Sequence, residues 1–164
     1  TEFRLENGLS SFIKRGEEEF KKYNVHHLES GPWVKDKVTI VGWDGWYFDP
    51  NPPTNDEYHL PGGWHSHAIL SRRAHIKFEQ VLQQLEEVPK DHKKIVVTHM
   101  APFVDEGVDN HFNANPLYMT FLENKCDVLC FGHTHRALDT VIKGIHVLNS
   151  GSDYNRPKHV IFEV

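Results

Sequence analysis

Two histidines one residue apart, His133 and His135, follow an apolar run and a glycine in CDVLCFGHTH (126–135), and a third, His99, closes the β-branched run KIVVT (94–98). Neutral imidazole is the commonest side-chain ligand for metal ions. Side chains at i and i+2 point the same way in extended backbone, which makes His133 and His135 a two-pronged metal grip if the chain is extended there. In open α/β sheets, ligands bind outside the carboxyl ends of strands. Both histidine addresses are of that kind, so the sequence predicts that His99, His133 and His135 converge on one metal-binding site. A lone histidine more often caps a loop; three at such positions point to a site.

The elements that must position them alternate along the chain. Residues 7–24 place Leu9, Phe12, Ile13, Phe20 and Tyr23 on a helical stripe, with Glu17, Glu18, Lys21 and Lys22 on the wet side. Residues 37–43 (KVTIVGW) read as a strand. From 47 to 67 the segment YFDPNPPTNDEYHLPGGWHSH holds four prolines and adjacent glycines, and reads as a long irregular loop over a site. A helix is expected over 68–88, ended by Pro89, then a strand at 94–98. Asn115-Pro116 opens a helix through Asn124, and 127–131, 138–142, 145–148 and 159–164 are expected as strands. This is an α/β pattern with a β-rich end.

Charge and composition narrow the classes. The net charge is −5 and no Lys/Arg block occurs, which disfavours general attachment to nucleic acid or an anionic membrane. No apolar run approaches the roughly 18 residues that span a bilayer, and residues 1–20 are too charged for a secretory signal, so a cytoplasmic location is expected. Cys126 and Cys130 on one strand would lie about 13 Å apart, beyond disulfide reach, and read as small buried apolar residues.

With those residues in place, the segments TIVGWDGW (39–46), VTHMAPF (97–103), CDVLCFGHTH (126–135) and VLNSGS (147–152) together resemble the C-terminal half of a calcineurin-like metallophosphoesterase. The resemblance runs from about residue 20 to the end. It implies a four-layer αββα sandwich and hydrolysis of phosphate mono- or diesters by a metal-activated hydroxide at a dinuclear centre. It also implies that His99 and His133 bind one ion and His135 the other. Two divalent ions are the expected cofactors, manganese first and iron or zinc as alternatives. Gly132 would let the turn pass close to the metals without a Cβ, and Thr134 would face away. Possible partners that fix the imidazoles are Asp44, Asp105 and Asp153.

The family's other ligand motifs, D-x-H, G-D-x-x-D and G-N-H, are not found ahead of VTHMAPF. The expectation is therefore that residues 1–164 are the C-terminal portion of one phosphoesterase domain, that the missing N-terminal half is needed to complete the site, and that the chain alone is incomplete or inactive. Two alternatives are a non-catalytic scaffold of the same fold and a mononuclear zinc hydrolase held by the three histidines. A phosphate ester is the expected partner, no membrane is, and nucleic acid would enter only as substrate. For substrate contact, Arg136 beside His135 offers a two-point fork for phosphoryl oxygens. His67 in the long loop and His111 in VDNHFNAN are further candidates for substrate contact. Trp43 and Trp46 flank Asp44-Gly45 and read as packing residues at a strand end.

Overall fold

The computed structural model describes residues 16, 18–45, 57–60, 63–103 and 117–163, with side chains for all of these except 57–60, 63–71 and 73. Among them, six strands form one mixed sheet: β1 (Trp33–Lys35), β2 (Val38–Trp43), β5 (Lys93–Thr98), β6 (Val128–Phe131), β7 (Ala137–Ile142) and β8 (Ile145–Ser150), in the order β1-β2-β5-β6-β8-β7. The central four, β2, β5, β6 and β8, are parallel, and β1 and β7 close the edges antiparallel. A separate hairpin pairs β3 (Glu57–Leu60) with β4 (Gly63–Ser66). The helices are α1 (His67–Glu87) and α2 (Leu117–Leu122).

Strand period and register decide which residues make the core. Val41, Val96, Leu129 and Val147 sit side by side across the parallel strands, and all four are 0% exposed. Their face is covered by Phe78, Val81 and Leu85 of α1 and by Tyr118, Met119 and Leu122 of α2, in one apolar cluster. The helical spacing read over 68–88 thus supplies the lid of the core. Trp43 joins this cluster against Phe78 and Tyr118, so it packs, as expected of a strand-end tryptophan. On the other face Ile95, Val128 and Leu148 form a smaller cluster with Val38, Ile40, Val97, Cys130 and Phe162.

Several expected elements change. Residues 18–22 are helical and the segment ends in a turn at Asn24, whose φ of 56° is the left-handed helix stop; Phe20 and Tyr23 are exposed there, and residues 1–15 lie outside the described residues. The long loop contains the β3–β4 hairpin, in which Leu60 pairs with Gly63. Only Pro61 and Gly62 intervene, a strong turn dipeptide that the density of prolines upstream obscured. Residues 159–163 are not a strand. Both sides of β8 are taken, by β6 and β7; Phe162 packs on the smaller apolar cluster instead, and Ile161 is left 88% exposed. Of the four-layer sandwich, the described residues show a mixed six-stranded sheet with α1 and α2 on one face. No facing second large sheet lies among the described residues.

No helix among the described residues is long and apolar enough to cross a membrane. Both cysteines are free. Burial, and then the Asp127 charge, push the Cys126 thiol up to about 12; burial raises Cys130 as well. Near neutral pH, iodoacetamide should therefore label both far more slowly in the native protein than in urea, with Cys126 the slower. Equal rates in the two states would contradict this burial.

Candidate metal centre at the carboxyl ends of the parallel strands

All four parallel strands end on one side of the sheet, and the turns beyond them are tied together. The His99 amide donates to the Asp44 carbonyl at 3.2 Å, and the Gly132 amide to the His99 carbonyl at 3.1 Å. Asn149 Nδ2 then donates to the Gly132 carbonyl at 3.2 Å. Residues far apart in sequence are thus fixed in one row by two backbone bonds and one side-chain amide. Gly45, at φ 63°, turns so close to Thr98 that a Cβ would overlap the threonine hydroxyl. Only glycine lets the end of β2 pass that close to β5.

His99 and His133 meet in this row. Their Nε2 and Nδ1 atoms are 2.9 Å apart, with ring centroids at 4.8 Å and planes inclined at 73°. One nitrogen carries the shared proton and the other accepts it. Burial first, and then the neighbouring His99 and His135, hold His133 below the usual imidazole range. Its neutral form, the one that ligates metals, is therefore favoured. At a separation of 2.9 Å the two nitrogens are close enough that both would reach one ion with only small ring movements, given metal–imidazole bonds of about 2.0–2.1 Å.

His135 is placed differently. Its Nδ1 pairs with Asp153 Oδ1 at 3.1 Å and its ring meets the edge of Tyr154 at 5.1 Å. Of the three carboxylates considered as partners, Asp153 thus pairs with His135 of the motif; Asp44 is exposed at the end of β2, and Asp105 lies outside the described residues. The extended backbone expected for the His-x-His pair is not what is found. His133 has φ 61° and His135 φ 53°, both left-handed, and the Thr134 amide bonds the Gly132 carbonyl at 2.7 Å. That three-residue closure about a positive φ is the strained form of the γ-turn. Strand pairing stops at Phe131, so nothing holds the next residues extended, and the turn takes over. Among the described residues no group of three or more histidine, cysteine or acidic side chains is arranged to hold an ion. The structure brings His99 and His133 together and leaves His135 with Asp153.

Other expectations resolve unevenly. A Cβ on Gly132 would lie 3.6 Å from His99 Nδ1, an ordinary contact, so close approach to His99 is not what demands glycine there. Thr134, given no role from sequence, accepts a hydrogen bond from Asn149 Nδ2 at 3.1 Å. Arg136 is exposed beside His135. His67 is the first residue of α1, but its side chain is not described, and His111 lies outside the described residues, as does Trp46. His59 and His65 fall on β3 and β4. The sequence holds one Asp-x-His triplet, Asp109-Asn110-His111, downstream of His99 and also outside the described residues. Asn149 was missed; its signal is a polar residue inside a buried strand, directly before a Ser-Gly-Ser turn.

A search of the curated proteins returned no match, and neither did a search of the solved structures. The calcineurin-like phosphoesterase superfamily domain matches residues 54–161, well over half of the chain and the stretch that carries all three histidines, so the chain belongs to that superfamily.

Proposed function

We propose that the chain contributes His99, His133 and His135 to the centre of a metal-dependent phosphoesterase acting on phosphate mono- or diesters. The observation that carries this is the 2.9 Å approach of two imidazole nitrogens beyond the ends of parallel strands, in a chain of the phosphoesterase superfamily. The donor set suits divalent ions: neutral nitrogens, with oxygen donors still to be supplied. His99 and His133 would share one ion. His135 keeps Nδ1 on Asp153, which leaves Nε2 as its ligating nitrogen and makes the carboxylate the group that fixes its tautomer. Manganese is the ion proposed first. Divalent ions bound there supply Lewis acidity and an activated water for in-line displacement of the ester.

The chain's own residues do the rest. An imidazole ligand brings no charge of its own, so His99 and His133 would leave the ions' positive charge largely unspent for the phosphoryl oxygens. Arg136, one residue from His135, offers its guanidinium fork to the same oxygens, and His67 and His111 are proposed as further substrate contacts. The remaining ligands, and the second sheet of an αββα sandwich, are proposed to come from a segment carrying D-x-H, G-D-x-x-D and G-N-H.

The test is a divalent-metal titration of the chain together with hydrolysis of bis(p-nitrophenyl) phosphate in manganese. Binding that depends on His99 and His133 is expected, with turnover rising when a segment bearing those motifs is joined ahead of the chain. Metal-dependent turnover by the 164-residue chain alone that is untouched by His133→Ala would overturn the proposal.

A further inference from the structure

We propose that Asn149 is the positioning residue of the histidine-bearing turn: its side-chain amide grips the chain on both sides of His133 and so sets where that imidazole points. The consequence for metal affinity rests on the reading above; the positioning itself does not.

Asn149 is the fifth residue of β8 and is only 5% exposed. Every polar atom of its amide is used toward the site. Nδ2 donates to the Gly132 carbonyl at 3.2 Å and to Thr134 Oγ1 at 3.1 Å, and Oδ1 accepts from the Gly151 amide at 2.9 Å. Residues 132 and 134 are the two that flank His133. Left-handed backbone at a residue other than glycine is costly and persists only where its surroundings over-determine it. His133 and His135 both adopt it, and the Asn149 amide is the buried group that spans the first of them.

The other end of the grip is equally fixed. Gly151, held by Asn149 Oδ1, has φ 67° and lies against Ala137 so closely that a Cβ would overlap the Ala137 backbone. Ala137 is where the chain re-enters the sheet two residues after His135. Asn149 and Gly151 therefore brace the histidine turn from its start at Gly132 to its end at Ala137. The job needs two donors and an acceptor from one short side chain. Aspartate has the shape but no donor, and its carboxylate would face the Gly132 carbonyl.

The experiment compares the intact chain with Asn149→Asp and Thr134→Val, using Zn²⁺ alone as probe. Three quantities are read: Zn²⁺ affinity by calorimetry well below the melting temperature, imidazole ¹⁵N and ¹H signals of the metal-free proteins, and the melting temperature. Asn149→Asp should weaken Zn²⁺ binding by at least about tenfold and move the ring signals of His133 and His135. Thr134→Val should do the same to a smaller degree, because the bonds from Asn149 to Gly132 and Gly151 remain. Lowered melting with Zn²⁺ affinity and ring signals unchanged would reduce Asn149 to a structural residue and overturn the proposal. If the unaltered chain binds no Zn²⁺, the metal reading fails, yet displaced ring signals in Asn149→Asp still support positioning and unmoved ones overturn it. If Asn149→Asp does not fold, Thr134→Val decides by the same two readouts.

Discussion

His133→Ala is expected to remove metal-dependent phosphoester turnover, lowering kcat/KM by at least about 100-fold, the upper end of what loss of a mere outer-shell partner costs a metal site. The substitution deletes one of the two nitrogens that approach to 2.9 Å and leaves His99 Nε2 without that partner. It should not unfold the protein. His133 is half-buried and lies beyond the last paired residue of β6, outside the apolar clusters. His133→Gly makes the separation sharper. At φ 61° a side chain in left-handed backbone costs roughly 1–2 kcal/mol, which glycine escapes while paying more chain entropy. The glycine variant should therefore match or exceed the parent in urea-unfolding midpoint while losing Zn²⁺ binding as completely as alanine does. Retained metal affinity in both variants would remove His133 from the site.

How far this arrangement could be read from residues alone depends on what each feature requires. The parallel core was legible because β2, β5, β6 and β8 are buried on both faces or nearly so, and such strands appear as short continuous apolar runs. His99 and His133 were legible because their addresses follow directly from those runs. The turn was not. The His-x-His spacing suggests extended backbone, whereas the real conformation is dictated by partners far away in sequence, Asn149 through its amide and Gly151 through its contact with Ala137. Histidine is enriched in left-handed backbone relative to most residues, yet even so adopts it only in a minority of cases, so GHTH alone does not announce it. The hairpin at 57–66 was hidden for the opposite reason: its turn signal, Pro61-Gly62, sits among other prolines that argue for irregular chain. The strand expected at 159–164 is not formed over 159–163, because propensity alone makes no ladder; Phe162 instead packs on the smaller apolar cluster and against the His146 ring.

The largest effect on folding should come from Phe78→Ala. Phe78 is 1% exposed at the centre of the cluster that joins α1 to the sheet. Its ring stacks on Tyr118 at 4.0 Å and meets Trp43 at 5.3 Å, so it is the contact shared by α1, α2 and β2. Truncation removes the transfer free energy of the ring and leaves a cavity that its neighbours cannot close, because Tyr118 is itself fully buried and Trp43 ends a paired strand. The cost should be about 3–5 kcal/mol, a large part of the roughly 5–15 kcal/mol that holds a domain together. Phe121, on the exposed side of α2 at 6.2 Å from Phe78, serves as the control, since truncating a half-exposed ring should cost well under half as much. Urea unfolding read by tryptophan fluorescence measures both, with the slope unchanged if only the native state is affected. Because the cluster also carries Trp43, and the next residue, Asp44, holds the His99 amide through its carbonyl, loosening it should reach the histidine pair as well. Zn²⁺ affinity of folded Phe78→Ala is therefore expected to fall, while Phe121→Ala leaves it intact. A loss for Phe78→Ala no greater than for Phe121→Ala would show that the site does not rest on this core.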